Sequence, residues 1–176
     1  MKIIVINGRS ESGKDTFVHF IQQKIGRRCL NISSIDFVKE IATECGWNGE
    51  KTPKNRKFLS DLKDLLTEWD DIPMKKIMCD IALFEIEMIE YYGLKSDDLF
   101  VFVHVREPQE IVRLKEKLNA YTLFITRPDH IIEPSNHADA EVDNYQYDYY
   151  INNCGTLDDL AESALDFIEK LKDQSI

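Results

Sequence analysis

The stretch Lys2-Ile3-Ile4-Val5-Ile6-Asn7-Gly8-Arg9-Ser10-Glu11-Ser12-Gly13-Lys14-Asp15-Thr16 decides the fold of this chain. Its opening run is apolar, which is typical of a central parallel strand covered on both faces. Two glycines follow, and apolar residues then recur at helical spacing from Lys14 to about Ile25. A strand that turns through glycines directly into a helix predicts the first half of a βαβ unit.

Residues 8–14 fit the pattern G-x-x-x-x-G-K of a phosphate-binding loop. The two glycines allow backbone conformations in which successive amides point at phosphate oxygens, and the helix N-terminus adds further N–H groups. Lys14 supplies a mobile charge that can follow a transferred phosphoryl group. A surface turn with a chance lysine does not explain the position of the motif between strand and helix. We therefore predict that ATP binds through Gly8, Arg9, Ser10, Glu11, Ser12, Gly13, Lys14, Asp15 and Thr16.

Asp15 departs from the usual loop, which has a serine or threonine here to ligate Mg²⁺. A carboxylate can bind Mg²⁺ directly or through water, because the ion takes oxygen ligands. Alternatively, Asp15 only stabilises the helix N-terminus and Thr16 makes the phosphate contact. We favour Asp15 as a metal ligand.

The remaining chain alternates strands and helices. Strands are predicted over residues 29–33, 99–105, 121–126 and 147–151, and helices over 34–45, from 73 to about 92, from 108 and from 156. The apolar stripe from Phe58 to Trp69 predicts a core-facing helix, and the helix from Pro73 is apolar around much of its circumference, which predicts burial. The pattern predicts one three-layer α/β/α domain over residues 1–176, with a parallel sheet of about five strands.

Composition excludes several classes of protein. The chain has 176 residues and a formal net charge of -10, which argues against coating nucleic acid or an anionic membrane. No apolar run approaches the ~20 residues that span a bilayer, and the start does not resemble a signal peptide. The four cysteines lack C-x-x-C spacing and the histidines are dispersed, so we expect reduced, mostly buried thiols, no zinc site and a cytoplasmic location.

The string Ser12-Gly13-Lys14-Asp15-Thr16 resembles the loop of deoxynucleoside monophosphate kinases of the phage and bacterial type, and P-loop phosphomevalonate kinases carry a related string. Further matches follow in order: Asp36-Phe37-Val38-Lys39, Arg56-Lys57-Phe58-Leu59, Val103–Glu110, His137-Ala138-Asp139 and Asn153–Leu157. The resemblance implies an acceptor-binding helical region over residues 34–92 and a lid over 127–144. It also implies that Asn153, Gly155 and Thr156 lie beside the adenine. His104 departs from the family, which has an aspartate there, and the family's arginine-dense lid is thin in this chain.

Four basic residues are candidates for binding or catalysis. Arg106 follows an apolar strand, where a guanidinium fork suits a phosphate; its alternative is a salt bridge to Glu107 or Glu110. Arg56 and Lys39 are acceptor-binding candidates, with a solvated surface as the alternative. Arg127 either reaches the transferred phosphoryl group or lies on the surface. For His104 we prefer a hydrogen-bonded structural histidine.

The resulting hypothesis is an ATP- and Mg²⁺-dependent kinase in which Lys14, Arg106 and Arg127 are catalytic. A (deoxy)nucleoside monophosphate is the first choice of acceptor, and a phosphomevalonate-type acceptor is the second. An ATP-binding regulator without transfer is the alternative from another class. We expect a monomer or homodimer that binds neither nucleic acid nor membrane. A small GTPase is disfavoured because the sequence has no N-K-x-D motif.

Overall fold

The computed structural model describes residues 1–128 and 145–173. Its five strands are β1 (Lys2–Asn7), β2 (Cys29–Ser33), β3 (Phe100–His104), β4 (Tyr121–Thr126) and β5 (Tyr149–Asn152). Its helices are α1 (Lys14–Ile25), α2 (Asp36–Glu44), α3 (Pro53–Asp70), α4 (Ile72–Glu90), α5 (Pro108–Leu118) and α6 (Leu157–Asp173). Short 3₁₀ turns precede β2 and β3.

The sheet is parallel throughout, with the order β2-β3-β1-β4-β5. The initial strand is therefore central, with β3 on one side and β4 on the other. Ile4, Val5 and Ile6 are fully buried, as expected for a strand covered on both faces. The carboxyl ends of all strands meet at one edge, where open α/β sheets bind ligands.

Helices cover both faces of the sheet. On one face, Phe17 and Ile21 of α1 and Phe167 and Ile168 of α6 pack in one cluster with the sheet. On the other face, Ile77 and Ile81 of α4 and Ile111 and Leu114 of α5 complete a second cluster. The three-layer α/β/α prediction with a five-stranded parallel sheet is confirmed, and the glycine loop between β1 and α1 gives it the P-loop NTPase fold.

The burial expected for α3 and α4 is wrong. In α3, Phe58, Leu65 and Trp69 are exposed, and the buried residue is Lys63. In α4, one face is buried, whereas Leu83 and Ile86 are exposed. The reason is that α4 contacts the sheet along one face only, whereas α3 packs on α2 and α4 instead of on the sheet. An apolar pattern alone does not reveal this difference.

The cysteines also differ from expectation. Cys29 is buried, but Cys45, Cys79 and Cys154 are exposed. Three of the four lie on or beside the outer surfaces of helices and loops, where sequence spacing carries no information about burial. None of the helices in the described ranges is long and apolar enough to cross a membrane.

Cys29 should resist thiol reagents while the protein is folded. Burial excludes the reagent and raises the pKa of the Cys29 thiol to about 12, so the reactive thiolate is scarce. Timed labelling with a thiol reagent, followed by peptide mapping, should show rapid modification of Cys45 and Cys154. Cys29 should react only after denaturant is added, and rapid labelling of Cys29 in native buffer would contradict its placement.

Candidate functional site

The phosphate-binding loop begins at the carboxyl end of the central strand. Gly8 has φ 149° and Gly13 has φ 95°, conformations that other residues rarely adopt. A Cβ atom on Gly8 would lie 2.3 Å from the Ile125 carbonyl oxygen, so β4 leaves room there for glycine alone. The backbone of the phosphate loop must therefore turn tightly after β1, close against β4, before α1 starts.

Lys14 folds back over this loop. Its ammonium group donates to the carbonyl oxygens of Gly8 at 2.6 Å and Arg9 at 2.7 Å, and to Ser12 Oγ at 3.4 Å. Three oxygen atoms thus hold the Lys14 ammonium group over the phosphate loop at the start of α1. A phosphate bound by the loop amides would contact the same charge.

Asn7 joins three segments at the start of the loop, although sequence analysis did not select it. The side chain is fully buried. Its Oδ1 accepts from Gly8 N at 2.7 Å, while its Nδ2 donates to Arg106 O at 3.2 Å and to Tyr147 Oη at 2.9 Å. A polar residue that ends an apolar strand was the available signal, but two of its three partners, Arg106 and Tyr147, lie 99 and 140 residues away in sequence.

A cleft of about 320 Å³ opens beside the first turn of α1. This volume lies at the low end of the roughly 300–1,000 Å³ typical of ligand pockets. One wall is the phosphate loop and helix start, residues 11–16. The facing wall contains four predicted site residues from distant segments: Arg127, Asn153, Gly155 and Thr156. The structure thus brings together the predicted loop and the predicted adenine segment.

The loop after β5 is hydrogen-bonded to the phosphate loop. Asn153 Nδ2 donates to Ser12 O at 3.0 Å, and the same Nδ2 would lie 2.5 Å from a Cβ on Gly13. At the start of α6, Asp159 accepts from Thr156 N at 2.7 Å and from Thr156 Oγ1 at 2.8 Å. These hydrogen bonds lower the pKa of Asp159. They form a helix cap that fixes this wall of the cleft.

His104 marks the meeting point of several charged groups at the end of β3. Its Nε2 lies 2.8 Å from Asn31 Oδ1 and its Nδ1 lies 3.8 Å from Asp15 Oδ1. Burial lowers the pKa of His104 to about 4. The positive charges of Lys14 and Arg106 also lower this pKa, whereas the carboxylates of Asp15 and Asp36 raise it. The imidazole is therefore neutral at neutral pH. The hydrogen bond to Asn31 agrees with the structural interpretation, but the contact with Asp15 places the ring beside the phosphate loop.

The first turn of α1 carries the donors that a nucleotide-bound magnesium ion needs. The Asp15 side chain is 94% exposed beside the cleft, and Thr16 lines the same cleft. No group of three or more His, Cys, Asp or Glu side chains suited to a metal occurs within residues 1–128 and 145–173. Mg²⁺ usually takes one or two protein oxygens and completes its shell with phosphates and water. The donor set fits an ion that arrives with the nucleotide.

A buried ion cluster ties α3 to the segment after β3. Lys63 Nζ donates to Glu110 Oε2 at 2.7 Å and to Glu107 Oε1 at 3.1 Å, and Ser34 Oγ donates to Glu110 Oε2 at 3.4 Å. Although burial alone lowers the pKa of Lys63, the two carboxylates raise it above its ordinary value. Burial raises the pKa of Glu110, so pairing only partly offsets its desolvation. Lys63 was not among the predicted residues, because it lies within an apolar helical stripe.

The predicted acceptor residues lie at the ends of α2, α3 and β3. Lys39 pairs with Asp36 at 3.1 Å on the first turn of α2. Arg56 is exposed on the first turn of α3, with its Nε donating to Lys51 O at 3.2 Å. Arg106 is exposed directly after β3, and both carboxylates proposed as its partners, Glu107 and Glu110, bind Lys63. Of the predicted lid, residues 129–144 lie outside the described ranges, as do His137-Ala138-Asp139.

Comparison with known proteins finds likeness in solved structures only. No protein-family model matches the chain, and no curated protein matches it. Shikimate kinase from Aquifex aeolicus has a TM-score of 0.47 and 13% identity, covering 95% of this chain and 96% of its own. Dephospho-CoA kinase from Campylobacter jejuni has a TM-score of 0.46 and 16% identity, covering 98% of both chains. APS kinase from Mycobacterium tuberculosis has a TM-score of 0.42 and 14% identity, covering 96% of both. These distant likenesses do not identify an acceptor.

Replacing Lys63 should destabilise the protein far more than replacing an exposed lysine. Lys63→Met leaves the buried Glu110 carboxylate without its cation and should lower the free energy of unfolding by about 3–5 kcal/mol in urea titrations. The matched control is Lys57→Met, which breaks the exposed pair with Asp61 and should cost at most about 1 kcal/mol. Adding Glu110→Met to Lys63→Met should recover part of the lost stability. Equal losses of stability in Lys63→Met and Lys57→Met would refute the buried ion pair.

Proposed function

We propose that this chain is an ATP-dependent phosphotransferase whose acceptor is a small phosphorylated molecule. A (deoxy)nucleoside monophosphate is the acceptor that we favour. One observation carries the proposal: the Lys14 ammonium lies inside a glycine loop that forms one wall of a cleft, faced by the segment after β5. Such a loop binds phosphates through its amides. The facing segment supplies Asn153, Gly155 and Thr156 for the nucleoside part of ATP.

The acceptor side is assigned to the end of β3 and the first turns of α2 and α3. Arg106 lies next to His104, which in turn is close enough to Lys14 and Asp15 for their charges to affect its pKa. Lys39 and Arg56, on the first turns of α2 and α3, would supply further cations to the acceptor. Arginine suits this place because its planar fork donates in parallel to two phosphate oxygens.

Catalysis at such a site consists of positioning and charge stabilisation. Asp15 and Thr16 would hold Mg²⁺, which, when bound, neutralises charge on the phosphates of the nucleotide. Lys14 and the loop amides stabilise charge on the transferred group, and Arg106 and Arg127 orient the oxygens of acceptor and donor. His104, with a pKa of about 4, is a weak base. An acceptor that is already an anion needs no strong base, which favours a phosphate over a hydroxyl.

Two alternative functions would use the same phosphate loop. A phosphomevalonate-type acceptor would use the same charges without a base pocket. A regulator that binds ATP without transfer would need only the cleft and Lys14. The Arg106 carbonyl oxygen accepts from Asn7 Nδ2 at the start of the phosphate loop, so a phosphate bound by Arg106 would lie at the same edge of the sheet. Such a second phosphate site favours transfer, because it is of use only if an acceptor binds.

Lys14→Ala should reduce turnover by a factor of about 10² or more while the fold is retained, because it removes a charge that acts on the transferred phosphoryl group. The measurement is ADP release from ATP-Mg²⁺ with a panel of nucleoside monophosphates and other small phosphates. Lys24→Ala, an exposed lysine at the far end of the same helix, is the matched control. Full activity of Lys14→Ala would eliminate the loop mechanism, and ATP binding without turnover across the panel would favour the regulator.

Arg106→Ala should raise the acceptor KM or lower kcat by roughly tenfold or more and leave the KM for ATP unchanged, as expected for loss of a charge-assisted pair of hydrogen bonds. The control is Arg28→Ala, which removes an exposed arginine at the amino end of β2, the opposite edge of the sheet. Steady-state kinetics with each substrate varied in turn separate the two effects. An unchanged acceptor profile would remove Arg106 from the acceptor site.

A further inference from the structure

Helix α4 has a second apolar face that the fold does not use. Its buried face carries Met74, Ile77, Ile81 and Met88, each at most 4% exposed. Leu83, Ile86 and Ile89 lie roughly half a turn away around the helix and are 57%, 50% and 41% exposed. Together with Cys79 and Ala82, they form a stripe at spacings of three and four residues, which is the pattern of a helix–helix contact.

The charges along α4 run against the dipole of the helix. Lys75 and Lys76 lie near its N-terminus, whereas Glu87 and Glu90 lie in its last turn. Acidic residues stabilise a helix N-terminus and basic residues a C-terminus, so this order does not serve the isolated helix. It serves a partner of opposite order: an antiparallel helix with its acidic end over the lysines and its basic end over the glutamates.

A second copy of α4 is such a partner. We propose that this chain forms a twofold symmetric dimer in which α4 packs antiparallel against α4 of the partner subunit. If the twofold axis passes between Ala82 and Leu83, Cys79 faces the partner's Ile86 and Lys75 faces the partner's Glu90. Both contacts occur twice, because a twofold interface uses the same patch on each subunit. The result is an apolar centre with charged ends, as in known interfaces.

The lysines have partners within the chain, but these do not prevent the contact. Lys75 pairs with Asp70 and Lys76 pairs with Asp80, and the Lys75 and Asp70 side chains are 58% and 56% exposed. Exposed ion pairs contribute little, so a lysine can share its charge between two carboxylates at small cost. The glutamates beside the stripe also disfavour an anionic lipid surface as its occupant, since such surfaces select basic flanks.

Oligomeric state in solution tests the proposal directly. Sedimentation equilibrium should give twice the mass of the chain for the wild-type protein. Ile86→Glu should shift it to the mass of one chain with an unchanged far-UV circular dichroism spectrum, which shows that the fold is retained. The control is Leu65→Glu on α3, which adds the same charge at a residue 63% exposed and should remain dimeric. A wild-type monomer at high concentration, a dimer that survives Ile86→Glu, or a dimer lost only in Leu65→Glu would each overturn the proposal.

Charge reversal tests the register. Lys75→Glu and Glu90→Lys should each weaken the dimer by roughly tenfold, because each places like charges opposite one another in the two symmetry-related contacts. The double variant Lys75→Glu/Glu90→Lys should restore wild-type affinity within about threefold. A double variant as weak as the sum of the single variants would refute the antiparallel pairing. Far-UV circular dichroism spectra of the three variants identify any loss that comes from the fold itself.

Thiol reactivity gives an independent readout in the unmodified chain. Cys79 lies in the proposed contact, whereas Cys45 and Cys154 are exposed elsewhere. The labelling rate of Cys79 should fall as protein concentration rises through the dimerisation range, with the other two rates constant. A Cys79 rate that does not depend on concentration, in a sample that sedimentation finds dimeric, would place the interface elsewhere and overturn the proposal.

Discussion

The buried side chain of Asn7 is the interaction on which the site depends. Its amide connects the first residue of the phosphate loop, the backbone at Arg106 and the hydroxyl of Tyr147. An unpaired amide at this depth would cost about 1–3 kcal/mol, so the three contacts are strongly favoured together. One residue thereby fixes the loop relative to the proposed acceptor side and to the segment that leads into β5.

The parallel sheet determines which other residues lie near Asn7. All five strands point their carboxyl ends at the same edge, so residues from positions 7 to 156 lie within one region despite their separation in sequence. The close approach of Gly8 to β4 and of Gly13 to Asn153 leaves no space for side chains. The narrow geometry of the loop therefore follows from packing between strands as much as from the conformational freedom of glycine.

Helix α3, outside the sheet, is attached to the rest of the fold by a buried ion pair. The buried pairing of Lys63 with Glu110 and Glu107 connects α3 to the segment after β3, where an apolar contact would have been the simpler expectation. A buried ion pair adds little net stability compared with apolar packing, but it penalises any arrangement that separates the charges. At the same time, α3 and α4 direct apolar side chains outward, and those of α4 form the face that we propose for dimerisation.

The sequence by itself determined the strand–loop–helix unit at the N-terminus, the alternation of elements and the three-layer architecture, because these follow from local periodicity and glycine placement. Through a resemblance that covers nearly the whole chain, it also predicted that Asn153, Gly155 and Thr156 lie beside the nucleotide, and these residues line the cleft next to the phosphate loop. Only the tertiary structure decided which apolar stripe is buried, since Trp69 and Ile77 carry the same local signal and differ only in what lies opposite them. The partners of Asn7 and Lys63 were likewise decided by the fold, because contacts between residues more than forty positions apart depend on topology.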